Sequence, residues 1–304
     1  MPSTMQPIRG IVKTAILSLL ILLLVTSALA SSFKAEADTA GHQAEPYYAF
    51  TGWEGPAIRV WFHIGSKATA DSPIVFVMHG VGRDADRYYA EWRDYAENYN
   101  FVLLVPEFSQ AHFPKAAGYN LGNVFDKEGS VNDETVWSFS AIDLIFDEFK
   151  QRMASNRTHY RLYGHSAGAQ FVHRFMFYKP KAKTELIITA NAGWYTMPDD
   201  ATDFPYGFKS SGLSEQSIAP VLKKKVIVML GDKDIDPNHR SLRRTPEAMA
   251  QGPHRFARGQ AFFNQAQGLA SRLNSPFEWE QVIVPGAEHS NAQMAAAAAP
   301  LLAQ

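Results

Sequence analysis

Across 304 residues there is no cysteine. That excludes a disulfide framework and an anchor built on a lipidated cysteine, so a fold exported to an oxidising compartment would rest on its apolar core alone. An excess of charge of one sign is also missing. The formal net charge is −1, 19% of residues are charged, and no long run of either sign occurs. Nothing here gives the basic footprint of a nucleic-acid binder. No self-similarity at a period of 20–50 residues is visible, which excludes a solenoid. Gly80-Val81-Gly82 lacks the Lys-Ser/Thr of a phosphate-binding loop and opens no Gly-x-Gly-x-x-Gly. No His/Cys/carboxylate spacing typical of zinc is present. Neither a metal nor a cofactor is expected.

Long apolar runs are confined to the N-terminus. Arg9 and Lys13 precede a leucine- and isoleucine-rich run, Ala15–Val25, and Ala28-Leu29-Ala30 fits a cleavage site. The run is shorter than the ~20 residues that span a bilayer. Residues 1–30 are therefore read as a secretory signal, and the mature protein as secreted or periplasmic without a stable membrane anchor. Residues 31–43 are small, polar and charged, and read as a flexible lead-in. Residues 44–304 are left as one folded domain, long enough to bury a core.

Within that domain strand and helix patterns alternate. Ile58–Ile64 reads as an antiparallel edge strand. Ile74–Met78 and Phe101–Val105 are continuous apolar runs of the kind buried on both faces of a parallel sheet. Tyr88, Trp92, Tyr95 and Tyr99 recur at helical spacing. After a long loop, Phe108–Ser130, Asn132 or Asp133 is placed to cap a helix whose apolar stripe runs from Val136 to Met153. Further strands are expected near His159–Tyr163, Glu185–Thr189, Val226–Leu230 and Trp279–Val284. Helices are expected over Phe171–Phe177, Phe256–Leu273 and the alanine-rich tail from Asn291. The pattern predicts an α/β fold, a mostly parallel central sheet with helices on both faces. Ligands of such sheets bind beyond the carboxyl ends of the strands.

The chemistry gathers at that edge. Gly164-His165-Ser166-Ala167-Gly168 lies between a strand and a helix, and its glycines permit a tight turn that lifts the Ser166 hydroxyl clear. A serine hydroxyl needs a base, and the base needs an orienting acid. His289 directly follows the last strand, and Asp234 follows Leu230. Asp232 and Asp236 compete for the acid role, Asp232 being close to the strand end and Asp236 preceding Pro237. His79 and His165 are expected to pack structurally beside the site. Trp194 and Tyr195, after a strand at the same edge, are candidates for substrate contact or for packing under a lid. The basic cluster Arg240, Arg243, Arg244, His254, Arg255 and Arg258 reads either as a solvated, ion-paired face or as a binder of anionic substrate groups.

Met78-His79-Gly80-Val81, Gly164-His165-Ser166-Ala167-Gly168, Gly231-Asp232-Lys233-Asp234 and Pro285-Gly286-Ala287-Glu288-His289, in that order, resemble the α/β-hydrolase superfamily. The likeness extends from about residue 42 to the C-terminus and is nearest to secreted polyhydroxybutyrate-depolymerase and feruloyl-esterase-like bacterial hydrolases, many of which carry cysteines that this chain lacks. The resemblance implies an α/β-hydrolase fold with a small lid insertion, formed here by the aromatic-rich stretch Trp194–Phe208. It further implies backbone amides of Val81 and Ala167 as oxyanion donors, and hydrolysis of a small or polymeric carboxylic ester through Ser166, His289 and Asp234. A serine peptidase or an acyltransferase on the same fold, and a non-catalytic binding protein retaining it, are the alternatives.

Overall fold

The structure is a computed structural model and describes residues 46–304. The signal and lead-in expected before residue 44 lie outside the described residues. Eight strands form one sheet in the order β1-β2-β4-β3-β5-β6-β7-β8. They are β1 (Tyr47–Phe50), β2 (Ile58–Ile64), β3 (Ile74–Met78), β4 (Val102–Glu107), β5 (Tyr160–His165), β6 (Thr184–Ala190), β7 (Val226–Gly231) and β8 (Trp279–Val284). From β4 to β8 neighbouring strands run parallel, while β1 and β2 are antiparallel additions at one end.

The buried strands are apolar on both faces, and the pleat sends alternate residues to two cores. From β3, Ile74, Phe76 and Met78 enter one core, whereas Val75 and Val77 enter the other. Helices α1 (Ala85–Tyr99) and α8 (Asn291–Ala303) close the Val75 face with Tyr88, Trp92, Met294 and Leu302. Helices α3 (Ser140–Arg152), α4 (Ala167–Tyr178) and α7 (Arg255–Arg272) close the other with Ile145, Phe149, Phe171, Phe175 and Phe262. Three short turns of helix punctuate the loops: α2 (Lys115–Gly118), α5 (Ala219–Leu222) and α6 (Pro246–Ala250). No helix among the described residues is long and apolar enough to cross a membrane.

Three local expectations are corrected. β2 is not the edge, because β1 pairs outside it from Tyr47↔Trp61 to Phe50↔Ile58. β4 does not stop before Pro106, which sits opposite Val60. The helix expected from Val136 begins at Ser140: Asp133 instead caps a 3₁₀ turn, Glu134–Val136, by accepting the Thr135 N–H at 2.9 Å, and Trp137 is extended.

At the β5–α4 junction backbone packs directly on backbone. Gly164 and Gly168 face one another there, and a Cβ on Gly164 would stand 2.3 Å from the Gly168 carbonyl oxygen. A Cβ on Gly168 would meet the Met78 carbonyl oxygen at 2.0 Å. The start of α4 is thus wedged against backbone of β3 and β5, and no flexible side chain can give way. Gly168→Ala is expected to cost at least about 3 kcal/mol and lower Tm by about 10 °C. Gly268→Ala, in α7 with only the Arg272 Nη1 at 3.9 Å, should be neutral or stabilising by up to about 1 kcal/mol. Thermal unfolding of the two variants beside wild type checks both.

Candidate active site

Ser166 stands at the apex between β5 and α4 with φ 58° and ψ −115°, a conformation that L-residues rarely adopt. Its N–H donates to the Ala190 carbonyl at 3.0 Å, which ties the apex to β6. Its side chain faces the cleft at the N-terminus of α4, where the first amides lack intrahelical partners. Ala167, the first residue of that helix, lines the cleft beside Ser166.

The loop after β3 approaches from the other side. A Cβ on Gly80 would lie 2.8 Å from the Tyr88 hydroxyl and 3.9 Å from Ser166 Cβ, so glycine lets the loop lie close against Tyr88. The Arg83 N–H closes the turn onto the Gly80 carbonyl at 3.2 Å, and Val81, 61% exposed, lines the cleft at its crest. His79 fixes the root of the loop. Its Nδ1 donates to the Gly80 carbonyl at 3.1 Å and its Nε2 accepts the Phe108 N–H at 3.0 Å, while its ring stacks on Tyr119 at 4.7 Å. The Tyr119 hydroxyl donates to the His79 carbonyl at 2.7 Å.

His289 and Asp234 arrive on the loops after β8 and β7. The Ser166 hydroxyl donates to His289 Nε2 at 3.0 Å, and His289 Nδ1 donates to Asp234 Oδ2 at 2.7 Å. Asp234 is 4% exposed. The rival acids are occupied elsewhere: Asp232 Oδ1 accepts the Gly286 N–H at 2.7 Å, and the exposed Asp236 accepts the Asn238 N–H at 2.8 Å. The two loops are stitched together. Lys233 N–H donates to the Ala287 carbonyl at 3.0 Å, and a Cβ on Gly231 would stand 2.4 Å from that same oxygen.

Asn191 completes the stitching, and sequence reasoning assigned it no role. Its Nδ2 donates to the Glu288 carbonyl at 3.1 Å, its Oδ1 accepts the Gly231 N–H at 2.8 Å, and its φ is 48°. An asparagine directly after a strand at the active edge was the available signal. Arg255 was likewise missed as a partner of the acid: its Nη1 reaches Asp234 Oδ1 at 3.2 Å.

Trp194 and Tyr195, both candidates for substrate contact or for packing under a lid, part company in the structure. Trp194 lines the cleft, with the guanidiniums of Arg174 and Arg243 over its indole at 4.1 and 4.7 Å. Tyr195 turns into the core, stacked on Phe262 at 4.4 Å with its N–H bonded to Gln251. The basic cluster also divides. Arg240, Arg243 and Arg244 are exposed, but Arg255 and Arg258 are buried, and Arg258 donates to the carbonyls of Gly193, Gly252 and Arg243.

Two cavities meet at Ser166. One, of about 440 Å³, lies toward Tyr88, His165, His239 and His289; the other, of about 370 Å³, lies toward Lys115, Gln170, Trp194 and Arg243. Val81, Arg240 and Ser241 border both. Among the described residues no group of His, Cys, Asp and Glu side chains suited to a metal ion occurs.

His79, His165 and His173 are all buried, and burial holds each imidazole neutral. For His79 it pulls the pKa from 6.5 down to about 4. The unfolded chain then binds protons in the interval from about pH 6.5 to 4 while the folded chain does not, so stability falls as pH falls through it. His79 alone should cost about 3 kcal/mol by pH 4. Denaturant midpoints measured at pH 7 and pH 4.5 check this, and equal midpoints would contradict it.

No protein-family model and no curated protein matches the chain. Solved structures do. Poly(aspartic acid) hydrolase-1 from Sphingomonas sp. KT-1 is 41% identical over 85% of this chain and 98% of that one, with a TM-score of 0.83. The poly(3-hydroxybutyrate) depolymerase LpqC from Bordetella parapertussis is 32% identical over 81% of this chain and 83% of its own, with a TM-score of 0.76. An S-formylglutathione hydrolase from Agrobacterium tumefaciens, 13% identical over 85% of this chain and 94% of its own at a TM-score of 0.55, shares the fold. With identity of this order over nearly all of one relative and most of another, on the same sheet, the chain belongs to the α/β-hydrolase superfamily of serine esterases.

Proposed function

We propose that the chain is an exported hydrolase of carboxylic esters that works through an acyl-enzyme on Ser166. The observation that carries this reading is the unbroken relay from Ser166 Oγ to His289 Nε2 at 3.0 Å and from His289 Nδ1 to Asp234 Oδ2 at 2.7 Å. In the first half-reaction Ser166 Oγ attacks the ester carbonyl as its proton passes to His289 Nε2. Asp234 stabilises the resulting imidazolium and fixes the ring. The N–H groups of Val81 and Ala167 receive the tetrahedral oxyanion, and His289 returns the proton to the departing alkoxide. Water, deprotonated by His289, then releases the acid from Ser166 by the same steps in reverse. Export rests on the signal read in residues 1–30, which lie outside the described residues.

A second reading concerns the bond and the charge of the substrate. The wall of the 370 Å³ cavity carries Arg83, Lys115, Arg240, Arg243 and Arg255, and no carboxylate. Poly(aspartic acid), named for the relative above, is a polyanion joined by amide bonds. The cationic wall favours an acyl group bearing carboxylates, whether its scissile bond is an ester or an amide. Arg243 is the best-placed receptor: its Nε donates to the Tyr206 hydroxyl at 2.6 Å and its guanidinium lies over Trp194, which leaves the outer N–H groups for a ligand.

Labelling with a fluorophosphonate should mark the wild type and leave Ser166→Ala blank. Asp234→Asn should lower kcat about 10⁴-fold by analogy with the serine-protease triad, with Asp236→Asn close to wild type. An unlabelled, folded wild type would sink the proposed relay. Arg243→Gln should raise KM for a carboxylate-bearing acyl ester about 10- to 100-fold, the worth of a charge-assisted hydrogen bond, and leave a neutral nitrophenyl ester nearly unchanged.

A further inference from the structure

Asp234 is buried, and its two oxygens have one partner each: His289 on Oδ2 and Arg255 on Oδ1. No backbone amide among the described residues donates to either. A carboxylate withdrawn from water needs compensation, and here it comes from a guanidinium that is itself 1% exposed. The other arm of that guanidinium reaches toward the cleft. Arg255 Nη2 donates to Ser241 Oγ at 2.9 Å and to His239 Nδ1 at 3.2 Å. His239 and Ser241 line the cleft, and the His239 ring lies 5.5 Å from the His289 ring. The root of the arrangement is backbone, since the Phe256 N–H donates to the Asp234 carbonyl at 3.2 Å. One rigid fork therefore spans from the acid behind the imidazole to the rim in front of it.

We infer that Arg255 is a positioning residue of the reaction: its Nη1 holds the buried Asp234 carboxylate with Oδ2 turned to His289. This rests on the Ser166–His289–Asp234 reading. The physical reason is orientation. A carboxylate with one partner on each oxygen has its rotation set by both, and a planar guanidinium anchored at its other arm to Ser241 and His239 keeps one of them fixed. Other charged and titratable groups surround the relay: His165, whose ring is 4.8 Å from that of His289 and which is bonded to the Tyr88 hydroxyl; His239 and Arg240 from the rim; Asp84 and Arg87 across the cavity; and the neighbouring Glu288. Apart from His289 itself, Arg255 alone among the described residues touches the acid's carboxylate.

The test measures kcat and KM on a neutral nitrophenyl ester for wild type, Arg255→Met, Arg255→Lys and the pair His239→Ala/Ser241→Ala, with folding followed by thermal unfolding. Arg255→Met should lower kcat about tenfold and leave KM within about twofold, the loss falling on the chemical step. Arg255→Lys keeps the charge without the fork, so it should recover part of kcat and not all of it. A folded Arg255→Met with the wild-type kcat overturns the inference. So does a raised KM with kcat unchanged, which would make Arg255 a substrate contact. Should Arg255→Met not fold, the rim pair carries the test: freeing one arm of the fork should cut kcat about threefold, and no change overturns the inference. Turnover surviving in Ser166→Ala would instead defeat the underlying relay, so the two failures are separable.

Discussion

The structure turns on a close approach of backbone to backbone. The first turn of α4 can be seated against β3 and β5 only because residues 164 and 168 carry no side chain. That seating fixes the left-handed conformation of Ser166, directs its hydroxyl out of the sheet edge and places the amide of Ala167 beside it. Neither a strained φ nor an amide without a helical partner is favourable alone, and each persists because the surrounding core over-determines it. The large aromatic side chains of α4, Phe171 and Phe175, supply that determination by packing on Phe139 and the sheet.

Around this point the loops are held mostly by main-chain and amide contacts. His79 and Tyr119 anchor the loop after β3, Asn191 links the ends of β6 and β7 to the loop carrying His289, and Lys233 with Gly231 closes the seam. The imidazole itself is held by its two polar partners, Asp234 and Ser166, and by the ring of His165 on one side. A precise relay thus depends on several strand ends being fastened to one another, which suits a site made of loops on a rigid sheet.

Much of this was legible in the sequence. Ser166, Asp234 and His289 could be proposed together because each follows a stretch that reads as a strand, and because the glycines around Ser166 suit a tight strand–helix junction. The parallel sheet was legible for the same reason. What escaped depended on direction. Trp194 and Tyr195 look equivalent in a string, yet the loop after β6 sends one to the cleft and the other to Phe262. Arg255 and Arg258 resemble the exposed arginines before them, but they stand three apart on the inward face of α7, where Asp234 and a set of loop carbonyls await them. β1 was missed because four residues carry too short a pattern to announce a strand.

Trp194 has one more consequence. The chain has six tryptophans, and the guanidiniums of Arg174 and Arg243 both lie over the indole of Trp194. A guest that draws Arg243 away from the ring would change the charge beside that indole. Intrinsic tryptophan emission is therefore the natural readout of occupancy on the cationic side of the nucleophile, with no dye or label added.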